Sequence, residues 1–236
     1  MFNLIKDHWS KDDIKKFEDY LYSLRREDKI VWTKNIVMTN KKVLAITSDI
    51  LKMISKQISE GNYLSFLDNM PHTYHEETII DAYLINKIKD INLQKKYILK
   101  LSKYTDSWST VDTFKYKVKN HEEEHLSIAQ EFIHSDDIFQ KRIGVRILFS
   151  FVKKDEYTQR IFEFLKELKN EDEYYVNMAC AWLICELFIY KKNPTFNFIK
   201  SKSTNKFVIN KAISKCCDSY RISKIDKDAL KKYRVN

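Results

Sequence analysis

Phe139-Gln-Lys-Arg142-Ile-Gly144, Tyr174-Tyr-Val-Asn177-Met-Ala179 and Phe207-Val-Ile-Asn210-Lys-Ala212 place an aromatic, a polar and a small residue at the same offsets three times. The copies begin 35 and then 33 residues apart, and a weaker fourth copy begins at Trp108. Each copy follows a shorter amphipathic segment. A two-helix unit with a small residue where its helices approach closely buries a core only by stacking on its neighbours. The pattern therefore predicts an all-α fold of HEAT-like repeats, a curved solenoid whose inner helices present Trp108, Asp112, Arg142 and Trp182 on a concave face.

The rest of the chain agrees with helices. Gly61, Gly144, Pro71 and Pro194 are the only glycines and prolines among 236 residues, too few for the tight turns of an all-β fold. Hydrophobic residues make up 44% of the chain, enough for a sizeable core. Ser10 with Asp13 behind it forms a variant capping box for a first helix, which carries Ile14, Phe17, Leu21 and Leu24 on one face and ends near Glu27 and Asp28. Apolar spacing predicts further helices at 29–38, 48–59, 75–89, 92–104, 108–118, 121–133, 137–152, 155–169, 173–190, 194–201, 204–219 and 226–233. One domain over 1–236 is expected.

Charge is unevenly placed. From Lys191 onward, 13 Lys and Arg stand against 3 Asp, while the 29 basic and 30 acidic residues before it nearly cancel. Phe196, Phe198, Phe207, Ile209, Ile213 and Tyr220 interleave with those cations at helical spacing, which predicts a folded basic surface over 191–236 and favours nucleic acid as partner. Lys200, Lys202, Lys206, Lys211 and Lys215 are the expected contacts to phosphate backbone. Such contacts orient a duplex without reading its sequence.

Cys180, Cys185, Cys216 and Cys217 match neither a disulfide framework nor a CxxC knuckle and read as buried reduced thiols. Lys6, Asp7 and His8 stand where a signal peptide needs an apolar run, and no stretch is apolar enough for a membrane span, so a cytoplasmic protein is expected. His121-Glu-Glu-Glu-His125 satisfies HExxH literally, yet it opens a helix, where carboxylates complement the macrodipole, and it has no downstream carboxylate ligand. It reads as a helix start, not a zinc site. His72 and His75 beside Pro71 read as exposed turn residues, and no phosphate loop or nucleophile elbow exists. No metal or cofactor is expected.

Trp108 and Asp112 lie four apart on one helix face. A carboxylate beside an indole stabilises a developing cation, by Coulombic attraction and by a cation–π contact of roughly 0.5–2 kcal/mol. The competing reading makes Trp108 a core residue and Asp106 and Asp112 caps or surface carboxylates.

Trp108-Ser-Thr-Val-Asp112, Lys141-Arg142-Ile-Gly-Val and Tyr175-Val-Asn-Met-Ala-Cys-Ala-Trp182 resemble the AlkD-like DNA alkylation repair family of HEAT-like DNA glycosylases. The resemblance runs from about Phe17 to the Asp218-Ser-Tyr-Arg221 segment. It implies Asp112 as catalytic carboxylate, Trp108 and Trp182 as contacts to the lesion's deoxyribose, and Arg142 as a basic residue of the DNA cleft. The implied reaction hydrolyses the N-glycosidic bond of N3- or N7-alkylated purines in duplex DNA, by a monomer, without extraction of the base into a pocket. One departure stands out: Cys185 occupies the position where the family commonly has Arg, one turn after the second tryptophan. It leaves open a non-catalytic relative binding unusual or branched DNA, beside a third reading as a protein-binding HEAT scaffold.

Overall fold

The structure, a computed structural model, describes residues 2–235. Among them are fourteen α-helices and no strand, with one isolated bridge between Lys42 and Tyr74. No helix among the described residues is long and apolar enough to cross a membrane. The chain divides into two compact units, Met1–Lys115 and Tyr116–Asn236.

The first unit holds α1 (Lys11–Ser23), α2 (Ile30–Val37), α3 (Ser48–Ile58), α4 (Tyr63–Asn69), α5 (His75–Ile85), α6 (Ile91–Ser102) and α7 (Trp108–Thr113). Ser10 and Asp13 close the anticipated reciprocal cap on α1, each side chain bonding the other's backbone N–H. Fully buried Trp9, Phe17 and Phe66 meet edge to face, with centroids 4.9–5.8 Å apart, and tie α1 to α4. The centre of the unit is α5, packed against α3, α4, α6 and α7.

Being surrounded, α5 buries polar residues that the sequence places in a turn. His72 and His75 are each only 4% exposed, which corrects the expectation of exposed turn residues. His72 Nε2 lies 2.8 Å from a buried Asp81 oxygen, and the His72 ring stacks on Tyr104. The Glu76 carboxylate accepts from the backbone N–H groups of Leu44 and Ala45, the latter at φ 58°, so a buried extended segment finds partners it would otherwise lack.

The second unit holds α8 (Glu122–Ile133), α9 (Ile138–Leu148), α10 (Thr158–Glu167), α11 (Tyr174–Tyr190), α12 (Lys192–Lys200), α13 (Lys206–Asp218) and α14 (Lys224–Lys231). The three motif copies open α9, α11 and α13, and α11 packs between the other two. α8, α10 and α12 precede them, the layout of a helical-repeat array; α10 and α12 are shorter than the helices they precede, as expected, whereas α8, with 12 residues, is not shorter than the 11-residue α9. The small position does what the repeat requires. A Cβ on Gly144 would fall 2.9 Å from the Ala129 carbonyl oxygen and from Ile133 Cγ2, so α8 and α9 meet only over a glycine.

The polar position has its own task. Arg142 Nη1 donates to the Tyr175 carbonyl at 2.5 Å, and Asn177 Nδ2 donates to the Glu171 carbonyl at 2.8 Å while its Oδ1 accepts from Asn205. Asn210 donates to the Val235 carbonyl at 2.8 Å and accepts from the Val235 N–H at 2.9 Å. Residues after α14 thus occupy, against α13, the place a following repeat would take.

The boundaries depart from expectation where side chains capture the backbone. α7 stops at Thr113 instead of continuing to 118, because Asn86 Nδ2 donates to the Thr113 carbonyl and Asn86 Oδ1 accepts from Lys115 N–H. The first helix ends at Ser23, where Arg26 N–H turns away to the Leu44 carbonyl. The seven-residue α4, capped by Asn62, is a helix the sequence does not announce.

Candidate functional site

The short α7 carries Trp108 and Asp112, and nearly every other residue in it is used to hold it. Ser107, its N-cap, donates to the Val37 carbonyl at 2.5 Å, and Trp108 Nε1 donates to the Ile36 carbonyl at 3.1 Å. Both carbonyls belong to the last turn of α2, where unpaired acceptors are available. Ser109 Oγ lies 2.9 Å from His75 Nε2, Thr110 Oγ1 lies 2.7 Å from Thr78 Oγ1, and Val111 is fully buried. Burial pushes the His75 pKa down to about 4, so this imidazole is neutral near neutral pH.

The two carboxylates flanking Trp108 have different surroundings. Asp106 accepts from Thr39 Oγ1 at 2.6 Å and from Asn40 N–H at 2.8 Å, holding the loop after α2. Asp112 is half-buried, as is Trp108 one turn before it. The indole is therefore neither core filler nor loose. Its N–H is fixed to backbone, and Asp112 follows one turn later on the same side of α7.

The second unit sets Trp182 differently. The Arg146 guanidinium lies 4.5 Å from the Trp182 ring centroid and 4.2 Å from that of Phe149, and the two rings meet edge to face at 4.8 Å. Beside Trp182 opens a cavity of about 420 Å³ lined by Cys185, Glu186, Lys215, Ser219 and Arg221. Arg221 pairs with the Glu186 carboxylate through both terminal nitrogens. A hydrogen bond from the Cys216 thiol holds Cys185 below the usual thiol range, while Cys216 itself is pushed up. Sequence reasoning missed Arg146 and Arg221. Arg146 follows Arg142 by one turn, which was the available signal, whereas nothing in the sequence pairs Arg221 with Glu186.

The remaining expected residues fall in two groups. Arg142 is 5% exposed and spends its guanidinium on the Tyr175 carbonyl, so it fastens α9 to α11 and offers little surface to an outside phosphate. Lys200, Lys202, Lys206 and Lys211 are exposed and Lys215 is half-buried. The helix predicted over 29–38 is present as α2, but sequence reasoning did not single out its Val31 and Trp32, which stand 75% and 65% exposed.

The HExxH segment opens α8 as an ion-paired helix start, with His121 at the N-cap position. Glu122 pairs with Lys154 at 2.5 Å, Glu123 with Arg160 at 2.6 Å, and His125 Nδ1 lies 2.8 Å from the His121 carbonyl. Among the described residues, no group of three His, Cys, Asp or Glu is arranged to hold a metal ion.

Residues 17–216 match the family described as DNA alkylation repair enzyme. The match spans most of the chain, both halves of the repeat pattern and both tryptophans, and the chain belongs to that family. No curated protein matches it. The resemblance seen in the three motifs is thereby shown at the level of the family, and with it a role in DNA alkylation repair.

Proposed function

We propose that this chain is a DNA glycosylase that releases N3- and N7-alkylated purines from duplex DNA, with Asp112 as its catalytic carboxylate. The observation that carries the reading is α7 itself: a six-residue helix fastened by Ser107, Ser109, Thr110 and the Trp108 indole, with an acid and an aromatic face one turn apart. An alkylated purine is cationic and departs neutral, so a strong general acid is unnecessary. What needs stabilising is the positive charge growing on the sugar and the position of the attacking water. A carboxylate fixed in advance serves both, and the Trp108 face adds a cation–π contact.

Trp182 is assigned to the deoxyribose, with the Arg146 guanidinium beside it as a fixed cation. Lys200, Lys202, Lys206, Lys211 and Lys215 are assigned to phosphates, and Arg142 to the cleft only through its hold on α11. The protein acts as a monomer in the cytoplasm and needs no cofactor or metal. Cys185 favours a second reading, a relative that binds DNA without cutting, because one cation expected beside Trp182 is missing. Lys215 lines the same cavity from another position, as does Arg221, whose guanidinium is paired with Glu186.

Release of methylated purines from alkylated duplex at low salt, by the natural protein and by Asp112→Asn, tests the proposal. Release by the natural protein alone, with DNA affinity unchanged within a few-fold, is expected. Equal release by both removes Asp112 from the chemistry, and binding without release by either supports the non-catalytic reading.

A further inference from the structure

Beyond α14 the chain turns back along α13, and it is pinned there at two neighbouring residues. The Tyr233 ring meets Phe196 edge to face at 5.2 Å, and Val235 exchanges two hydrogen bonds with Asn210. Arg234 lies between these anchors, exposed, with Nη2 donating to Ser214 Oγ at 3.1 Å. An arginine held this way loses less freedom on binding an anion than a free surface side chain does. Residues after 216 lie outside the family match.

Arg234, Lys211, Lys206 and Phe207 line a cavity of about 540 Å³ whose lining carries no carboxylate among the described residues. Phe207 and Lys206 also wall a second cavity, of about 280 Å³, whose other side carries Tyr174, Glu171 and Asp172. Tyr174 and Phe207 meet edge to face at 6.0 Å and are 55% and 37% exposed. The Glu171 carboxylate is taken up by Lys141 at 2.8 Å and by the Glu173 N–H, so across the aromatic pair the lining changes from cationic to one that offers the exposed Asp172 carboxylate. A nucleotide has the complementary polarity: a phosphate at one end, and at the other a flat base bearing N–H donors that carboxylates accept.

We propose that this notch binds one nucleotide of a single-stranded DNA segment next to the duplex, its phosphate on Arg234 and Lys211 and its base on Phe207 and Tyr174. The inference rests on the DNA reading above for the source of the nucleotide. A duplex backbone alone would use the cations and leave the exposed rings idle, because stacked bases offer no free face. Stacking of a base on an aromatic ring depends little on which base it is.

The test is fluorescence anisotropy with a blunt duplex and with the same duplex carrying a short 5′ or 3′ single-stranded overhang. The natural protein is expected to bind one overhang roughly fivefold or more tightly than the blunt duplex, the gain that stacking one base provides. Phe207→Ala removes that gain and Phe207→Trp keeps it. Arg234→Ala reduces it and lowers the slope of log affinity against log salt by about one. Both side chains are exposed enough that these variants fold, which their melting curves check.

No gain from either overhang, or a gain that persists in Phe207→Ala and Arg234→Ala, overturns the notch proposal while blunt-duplex binding and base release leave the glycosylase reading standing. Overhang binding that needs Phe207, with no affinity for blunt duplex, supports the notch and overturns the duplex reading. Saturable binding of a free deoxynucleoside monophosphate without any overhang gain assigns the site to free nucleotides and overturns the strand proposal.

Discussion

Trp108 and Trp182 belong to the same proposed reaction, yet opposite means hold them. Trp108 sits on six residues of helix, too short to be stable alone, and is placed by hydrogen bonds to residues 72 positions away and by the contacts its neighbours Ser109 and Thr110 make with α5. Trp182 sits on a helix of seventeen residues, placed by repeat packing on both sides, and its ring meets an aromatic ring and a guanidinium. One site depends on polar pairing and the other on close packing. The two should fail differently.

The packed region should show the largest loss. Gly144→Val puts a branched side chain where even a Cβ would meet the Ala129 carbonyl oxygen at 2.9 Å, and backbone cannot give way as a side chain end can. A destabilisation of about 3 kcal/mol is expected, which for a chain of this size lowers Tm by roughly 6–12 °C. A calorimetric Tm within 2 °C or so of the natural protein would mean that α8 and α9 do not depend on this close approach.

That repeat was legible beforehand because packing of this kind leaves a trace in one stretch of chain. Aromatic, polar and small residues recur at fixed offsets, and even the polar member has a local reason, since Arg142, Asn177 and Asn210 each bond a backbone carbonyl. The setting of α7 left no such trace. His75 and Ser109, Thr78 and Thr110, or Asn86 and Thr113 become partners only when the chain has folded, and a histidine beside a proline looks like a turn residue when read alone. The acid–aromatic pair on α7 could be recognised in the sequence, whereas the groups that fix it could not. The same applies to Arg146, whose partners Phe149 and Trp182 come from two different helical segments.

The polar region should break with smaller energy and larger consequence. His75→Ala removes the Ser109 hydroxyl's contact with Nε2 and leaves it Ser107 Oγ at 3.0 Å in a half-buried setting, at a cost of about 1 kcal/mol. Base release should fall by far more than that loss of folded protein explains, because α7 loses one of its fastenings. His75→Gln, which retains an acceptor, should recover part of the release. If His75→Ala lowers Tm but leaves release per folded molecule unchanged, α7 is positioned by Thr78 and the α2 carbonyls alone.

The same buried cluster gives the first unit a pH dependence of its own. Glu77 is fully buried, and burial pushes its pKa up to about 8, while His75 is pushed down to about 4. The unfolded chain, with ordinary values near 4.5 and 6.5, binds fewer protons than the native state at Glu77 between pH 4.5 and 8, and more at His75 between pH 4 and 6.5. The two effects oppose each other below pH 6.5. Above it the His75 effect is gone, and Glu77 makes stability fall as pH rises toward 8, by at most about 1.4 kcal/mol per pH unit, in the same direction as Glu76 and Asp81, which burial also pushes up. Glu77→Gln should flatten that part of the curve of unfolding free energy against pH. An unaltered slope in the variant would assign the proton uptake to another group.

The smallest effect on stability is expected where the proposed function depends on it most. Trp182 is half-buried, and the cation–π contact its ring makes with Arg146 is worth about 0.5–1 kcal/mol where water reaches it. Trp182→Ala therefore removes one wall of the cavity shared with Lys215 and Arg221 while α11 keeps its buried face of Ala179, Leu183 and Leu187. DNA affinity and base release should both drop several-fold, and Arg146→Ala should reproduce the affinity loss in part, since the guanidinium and the ring fix each other. Were Tm to fall as far in Trp182→Ala as in Gly144→Val, with no change specific to DNA, Trp182 would be a member of the packed core. The difference between the two tryptophans would then lie in burial and not in what each of them meets.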